Sequence, residues 1–276
     1  MKKTLNRIYI CILIVFVLFI SNIYCRSNRY TLPDYAQTDI SSTISSDKLS
    51  EKDYTELFRQ TGLSPAAIDS LRQNGDYDTI FQLQKMLFEH PDIKQNYILY
   101  PFTAEERTPN RAVPFAMLHN GDIIVTFNTV SCDWRHGHIA IVVDAKNMII
   151  LEHRSAGAKS CLSSAKLFGT YPSFIILRHT DMEIAEKAAQ YAKEHLAGID
   201  YNIFAGILKK DKSDEDEPFS SHCSHIVWQA YKAVGIDIDR DKGFIVTPKN
   251  IADSEKLRVV QVFGMDTSEF ENRLAK

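Results

Sequence analysis

The stretch over residues 220–235, SSHCSHIVWQAYKAVG, constrains this chain more than any other. Ile226, Val227, Ala230, Tyr231 and Val234 recur at a period of 3.6, which predicts a helix with one broad apolar face packed on a core. Ser220 or Ser221 is placed to cap its start, and Gly235 stands where a left-handed residue ends a helix. Cys223 then falls in the first turn. Unpaired backbone N–H groups and the positive end of the helix dipole favour a thiolate there. Two readings of Cys223 stay open on this stretch alone: a small buried hydrophobe, or a nucleophile. A base and an orienting group elsewhere in the chain would separate them.

Upstream, the pattern is that of an antiparallel sheet. Residues 122–127 (DIIVTF), 139–143, 148–153 and 174–178 read as strands, and residues 144–147 as the turn joining the second and third into a hairpin. Residues 180–196 read as a helix opened by a Thr180/Glu183 capping box and closed at Gly198. Residues 244–246 and 259–263 read as further short strands, and Thr247 with Pro248 starts a helical turn. Residues 209–217 (KKDKSDEDE) form a charge run just before the Cys223 segment, read first as a solvated loop and second as a rim of the site.

Of the nine histidines, His138 stands apart because it opens the buried-strand run HIAIVV. His136, two residues earlier on the same face of an extended chain, competes with it. With the turn at residues 144–147, His138 falls opposite Glu152, within the roughly 5 Å cross-strand spacing. A carboxylate there fixes the imidazole tautomer and raises its basicity. A register shifted by one residue would bring His153 opposite instead.

The N-terminal part is read separately. Lys2, Lys3 and Arg7 precede the apolar run at residues 9–20 (YICILIVFVLFI), a signal-peptide pattern that places the mature part outside the cytoplasm, in the periplasm or cell envelope. Residues 1–25 are read as a cleaved signal first, a retained membrane anchor second and a lipidated segment at Cys25 third. Three of the 32 basic residues lie in this segment, leaving 29 against 35 acidic ones, a charge of -6. That balance excludes an electrostatic case for nucleic acid. Residues 26–50 read as a linker, 51–115 as a helical extension covering one side of the main domain, and 116–276 as that main domain. Within 51–115, helices are expected around Tyr54, Leu57 and Phe58, from Ser64 and Pro65 to Asn74, and after Asp78; residues 96–114 read as irregular. Beyond the N-terminal segment, Cys132, Cys161 and Cys223 remain. The odd count leaves at least one thiol unpaired, and an export compartment permits a Cys132–Cys161 bridge with Cys223 free. His136, His138 and Cys132 could be assembled around a metal, but no CxxC or HExxH pattern accompanies them, and no metal or cofactor is expected.

In chain order, the segments GDII from Gly121, GHIAIV from Gly137, ILE ending at Glu152 and HCSHIVWQAY from His222 resemble the circularly permuted papain-fold hydrolases of the YycO/YiiX type. These are distant relatives of the NlpC cell-wall hydrolases. The segments GIDY ending at Tyr201 and VTP ending at Pro248 resemble parts around that core. The resemblance covers about residues 119–263. It implies an α+β fold, a papain-like, circularly permuted antiparallel sheet packed on a Cys-bearing helix, here with an N-terminal helical extension. It further implies Cys223 as nucleophile, His138 as general base and then acid, and Glu152 as orienting group. The Cys223 backbone N–H is a candidate oxyanion donor, with Tyr201, His222 and Trp134 as further substrate or oxyanion candidates. His222 stands where the family often has an aromatic residue. Implied substrates are peptide amides, those of the cell wall (peptidoglycan) first and N-acyl amides or lipids second. Acyl transfer to an amine, or envelope binding without catalysis, are the rival functions.

Overall fold

The computed structural model describes residues 30–99, 103–131, 134–205 and 220–276, together with Tyr9, Ile12 and Leu13. The strands are β1 (Lys94–Leu99), β2 (Thr103–Arg107), β3 (Ile123–Thr126), β4 (Thr129–Ser131), β5 (Trp134–Arg135), β6 (His138–Asp144), β7 (Ile149–Glu152), β8 (Cys161–Ser164), β9 (Phe174–His179), β10 (Asp200–Tyr201), β11 (Ser220–Ser221) and β12 (Leu257–Phe263). The helices are α1 (Ser41–Ile44), α2 (Glu51–Thr61), α3 (Pro65–Gln73), α4 (Tyr77–Phe88), α5 (Met182–His195), α6 (Cys223–Ala233) and α7 (Pro248–Ala252). The protein is α+β. Its centre is a six-stranded antiparallel sheet of order β12-β9-β3-β6-β7-β8, beside a four-stranded sheet of order β1-β2-β4-β5.

The central strands read as unbroken apolar runs because the large sheet is covered on both faces. Ile123, Val125, Ile139, Ile141, Ile175 and Leu177 pack with Ala188, Ala192, Ile226, Val227 and Ala230 of α5 and α6. Their alternates Ile124, Ala140, Val142, Ile150 and Ile176 pack with Leu57, Leu63, Ile68 and Leu83 of the N-terminal helical part. That part also hydrogen-bonds to β12: Ser64 N–H donates to Val260 O at 2.9 Å, and Val262 N–H to Gly62 O at 2.8 Å. Residues 51–88 therefore form the second covering layer of the sheet.

Several local expectations need correction. Residues 30–50, expected as a linker, carry α1 and bury Ile40 and Ile44 in that second layer. Residues 96–114 are not wholly irregular, since β1 and β2 pair antiparallel across them. Their alternation is hidden in the sequence because Glu106, an inward position of β2, is a buried carboxylate bound by Arg135 at 2.8 Å and Asn128 at 3.0 Å. Helix α5 is capped by Asp181, not Thr180; its carboxylate accepts from Glu183 N–H at 2.9 Å. Residues 244–246 form no strand; Phe244 and Ile245 are apolar yet exposed. Thr247 and Pro248 do start a helix, α7.

Cys161 is an exposed free thiol on the outer strand β8, so the suggested bridge to Cys132 is not formed. The described residues on either side of Cys132, in β4 and β5, pair with each other in the four-stranded sheet. Cys132 itself, nearly all of the apolar run at residues 9–20 and the charge run at residues 209–217 lie outside the described residues. Among the described residues no helix is long and apolar enough to cross a membrane.

Candidate active site

Helix α6 carries Cys223 as its first residue, with Ile226, Val227, Ala230 and Tyr231 fully buried as the sequence stripe requires. Neither Ser220 nor Ser221 caps it. Those two residues form a short parallel pair with Asp200 and Tyr201, Ser221 Oγ lies 3.0 Å from His225 Nδ1, and His222 takes the N-cap without a side-chain cap bond. At the far end Gly235 adopts the left-handed conformation at φ 83°, and Tyr231 Oη donates to Gly121 O at 2.6 Å. The helix is thus pinned to the sheet at the end opposite Cys223. That leaves Cys223 partly exposed, with no intrahelical partner for its N–H.

The hairpin delivers the other two groups. Glu152 is paired with Ala140, not with His138, a register two residues away from the expected one, with an irregularity between Val142 and Asp144. Because side chains alternate with period two, a shift of two preserves the face. His138 Nε2–H therefore still donates to Glu152 Oε2, at 2.7 Å. Both side chains are buried, and the His138 ring stacks on Phe168 at 5.4 Å. The other Glu152 oxygen accepts from Arg154 Nε at 2.9 Å and from Ser163 Oγ. With Nε2 committed to the carboxylate, Nδ1 is the nitrogen left to meet Cys223, which is a hydrogen-bond partner of the ring.

The electrostatics follow from this line of groups. Burial alone would raise the Cys223 thiol, but hydrogen bonds and charge from His138 and His222 outweigh it and hold the thiol well below its ordinary range. Burial alone would likewise lower His138, yet Cys223 and Glu152 raise it to about 10. Glu152, despite burial, is brought down to about 2 by His138, Ser163 and Arg154. Both shifts run in the direction that favours a thiolate–imidazolium pair. The carboxylate contributes stability above its ordinary 4.5 and loses it as pH falls through about 2. The imidazolium contribution is whole below 6.5 and is lost as pH rises through about 10. Glu152→Gln removes one of the two charges that favour the imidazolium, the other being that of Cys223. Its expected result is an NMR titration midpoint for His138 that drops from about 10 towards the ordinary 6.5; an unmoved midpoint would remove Glu152 from the relay.

The remaining sequence candidates take different places. His136 is excluded as the base, because its Nδ1–H donates to Gly137 O at 2.8 Å and its Nε2 is held by Ser131 Oγ at 2.9 Å. Gly137, between the two histidines, has φ 80°, and a Cβ there would lie 2.8 Å from Thr126 O, so the kink that separates their roles demands glycine. His153 is fully buried edge-on to Tyr201, with ring centroids 5.0 Å apart. The Tyr201 hydroxyl is pushed up to about 12 by burial and the Cys223 charge, which places it on the wall of the site. His222 lies against Cys223, with Nδ1 3.3 Å from Ser224 Oγ. Trp134, on the short edge strand β5, is exposed and sits edge-on to His136 at 6.5 Å, out on the rim. Sequence reasoning missed Arg154, Ser163 and Phe168. Arg154 had a signal, since it shares a side with Glu152 at spacing two in an extended chain. Ser163 and Phe168 had none, lying on a strand and a 3-10 turn that carry no apolar period.

An α+β chain with a thiol, an imidazole and a carboxylate in line is the class that fold and site define. No family model and no curated protein matches the chain. It is similar to a solved structure, the metalloprotein YiiX from Escherichia coli O157:H7, of the group DUF1105. Sequence identity is 18% and the TM-score 0.38, over 52% of this chain and 97% of that one. Among the described residues no group of three or more His, Cys, Asp and Glu side chains is arranged to hold a metal ion.

Proposed function

We propose that this chain is an exported cysteine hydrolase, of amidase or peptidase type, cleaving an amide bond through Cys223, His138 and Glu152. The observation that carries the reading is the 2.7 Å bond from His138 Nε2 to Glu152, which turns the other ring nitrogen to a partly exposed thiolate at a helix start. In the proposed reaction the Cys223 sulfur attacks the carbonyl carbon, and the developing oxyanion is met by the Cys223 N–H. The C–N bond breaks as His138 gives its Nδ1 proton to the leaving amine. His138 then takes a proton from water, which attacks the thioester, releases the acid and restores the thiol pair. No cofactor enters these steps. A peptide amide of the cell wall is the first substrate class, on the resemblance of the segments around Gly121, His138, Glu152 and Cys223. An N-acyl amide or lipid is the second, on the same resemblance.

The test uses the full chain. A thiol-directed electrophile near neutral pH is expected to label Cys223 far faster than exposed Cys161, whose thiol is raised by burial and by the Glu152 charge. Cys223→Ala is expected to abolish turnover of wall-peptide or acyl-amide substrates. Unselective labelling, together with unchanged turnover in Cys223→Ala and His138→Ala, would leave the non-catalytic envelope-binding module as the reading. Trapping of the acyl group by added amines would identify a transferase.

A further inference from the structure

Three segments that adjoin the site, the edge strand β5 and two loops, carry bare apolar side chains. Trp134 is 59% exposed, Ile203 and Phe204 are 58% and 71% exposed, and Phe244 and Ile245 are 72% and 47% exposed. Each segment is stitched to a residue flanking Cys223 or His138. Asn202 N–H donates to Ser221 O at 2.8 Å, Ser224 Oγ donates to Val246 O at 2.8 Å, and Trp134 lies against His136. Trp134, Phe204 and Phe244 are each two residues from such an anchor, a reach of about 7 Å. The three stand on separate segments of the chain. Isolated aromatic tips around a polar opening suit the headgroup region of a bilayer, where Trp and Phe bury an apolar body beside wet polar groups.

Where the chain enters the fold points the same way. Tyr30 packs on Phe263 at 6.2 Å, and Thr31 N–H donates to Gly264 O at 3.0 Å, at the end of β12. Phe263 pairs with Phe174 at the start of β9, Thr126 Oγ donates to Ser173 O at 2.8 Å, and Thr126 pairs with His138. The entry point and His138 therefore share one end of the sheet, three strand spacings or about 15 Å apart. Upstream lies the apolar run at residues 9–20, in which Tyr9, Ile12 and Leu13 are 63%, 58% and 61% exposed and so are not buried against the fold. Residues 21–29 reach at most about 30 Å. A run of this kind held in a bilayer keeps the site end within that reach of the lipid.

We infer that the rim formed by Trp134, Ile203, Phe204, Phe244 and Ile245 is a membrane-docking surface that seats the mouth of the site on a lipid bilayer. Docking of this kind decides where the protein sits and is independent of the reaction at Cys223.

The chain has two tryptophans, Trp134 on the rim and Trp228, which is 3% exposed in the core. The full chain reconstituted into vesicles of phosphatidylcholine brominated in its acyl chains is expected to lose roughly half or more of its Trp134 emission, relative to unbrominated vesicles. The Trp134→Phe chain, reporting only Trp228, serves as the unquenched reference. Phe204→Ser with Phe244→Ser is expected to cut the Trp134 quenching severalfold while the rate of Cys223 labelling is retained. Equal Trp134 emission in brominated and unbrominated vesicles overturns the inference. Protection of Trp134 from acrylamide without lipid also overturns it: growing with protein concentration, it means a second copy covers the rim; independent of concentration, it means the N-terminal segment does.

Discussion

His138→Ala is expected to slow alkylation of Cys223 at pH 6 by about 10- to 100-fold and to turn a flat rate profile between pH 6 and 8 into one that rises with pH. The physical reason lies in what holds the thiolate. Burial works against the charge, and His138 is the foremost of the groups that overcome it. Without the imidazole the thiol returns towards an ordinary value of about 8.5, where about one sulfur in 300 is ionised at pH 6. The more basic thiolate is intrinsically more nucleophilic, which gives back part of that factor and sets the range above. The thiolate is present above the depressed value and is lost as pH falls through it, so the wild-type profile stays flat where the variant's rises. If the variant keeps the flat profile, the ion pair is not what activates Cys223, and the proposed mechanism loses its base. Turnover, if the hydrolase reading holds, should fall further than alkylation, by about 1,000-fold or more, because the same ring also protonates the leaving amine.

Arg178→Met is expected to destabilise the fold by about 3–5 kcal/mol. Arg178 Nε donates to Asp122 Oδ1 at 2.7 Å and Nη2 to Oδ2 at 2.6 Å, between the start of β3 and the end of β9, with both side chains buried. Burial already pushes the Asp122 carboxyl up against the pull of Arg178, so removing the arginine strands a carboxylate that only the His119 N–H still contacts, at 2.8 Å. For a chain of this length the loss corresponds to a drop in Tm of about 10 °C, measured by calorimetry. Combining Arg178→Met with Asp122→Leu is expected to restore most of it, since apolar replacements remove the stranded charge. A single variant with an unchanged Tm would mean that the pair is solvated. This pair sits where Tyr231 ties helix α6 to Gly121, so a looser α6 and slower Cys223 labelling are expected to accompany the lost stability.

How much of the site is legible in the sequence varies with how local its causes are. Cys223 at a helix start is legible because the apolar stripe and Gly235 are local features, although the cap is not where the sequence suggests: Ser221 turns its hydroxyl to His225 and leaves the helix end uncapped. The His138–Glu152 pair is legible despite a register error, because a two-residue slip returns each side chain to its own face. Trp134 illustrates the opposite case. Its place on the rim depends on the edge strand β5, whose sheet is held together by Glu106, Asn128 and Arg135, and buried polar networks leave no hydrophobic period to read. Phe244 and Ile245 read as a strand because apolarity ordinarily signals burial, whereas here it marks an exposed edge of the site.

The sequence by itself determined the pieces whose physics is local: an apolar stripe makes α6, Gly235 ends it, and period-two alternation keeps His138 and Glu152 together. Only the tertiary structure decided which histidine serves Cys223, since that depends on which ring nitrogens are already bound. His136 has both nitrogens committed within its own loop, whereas Glu152, fixed by Arg154 and Ser163, takes one nitrogen of His138 and leaves the other for the thiol.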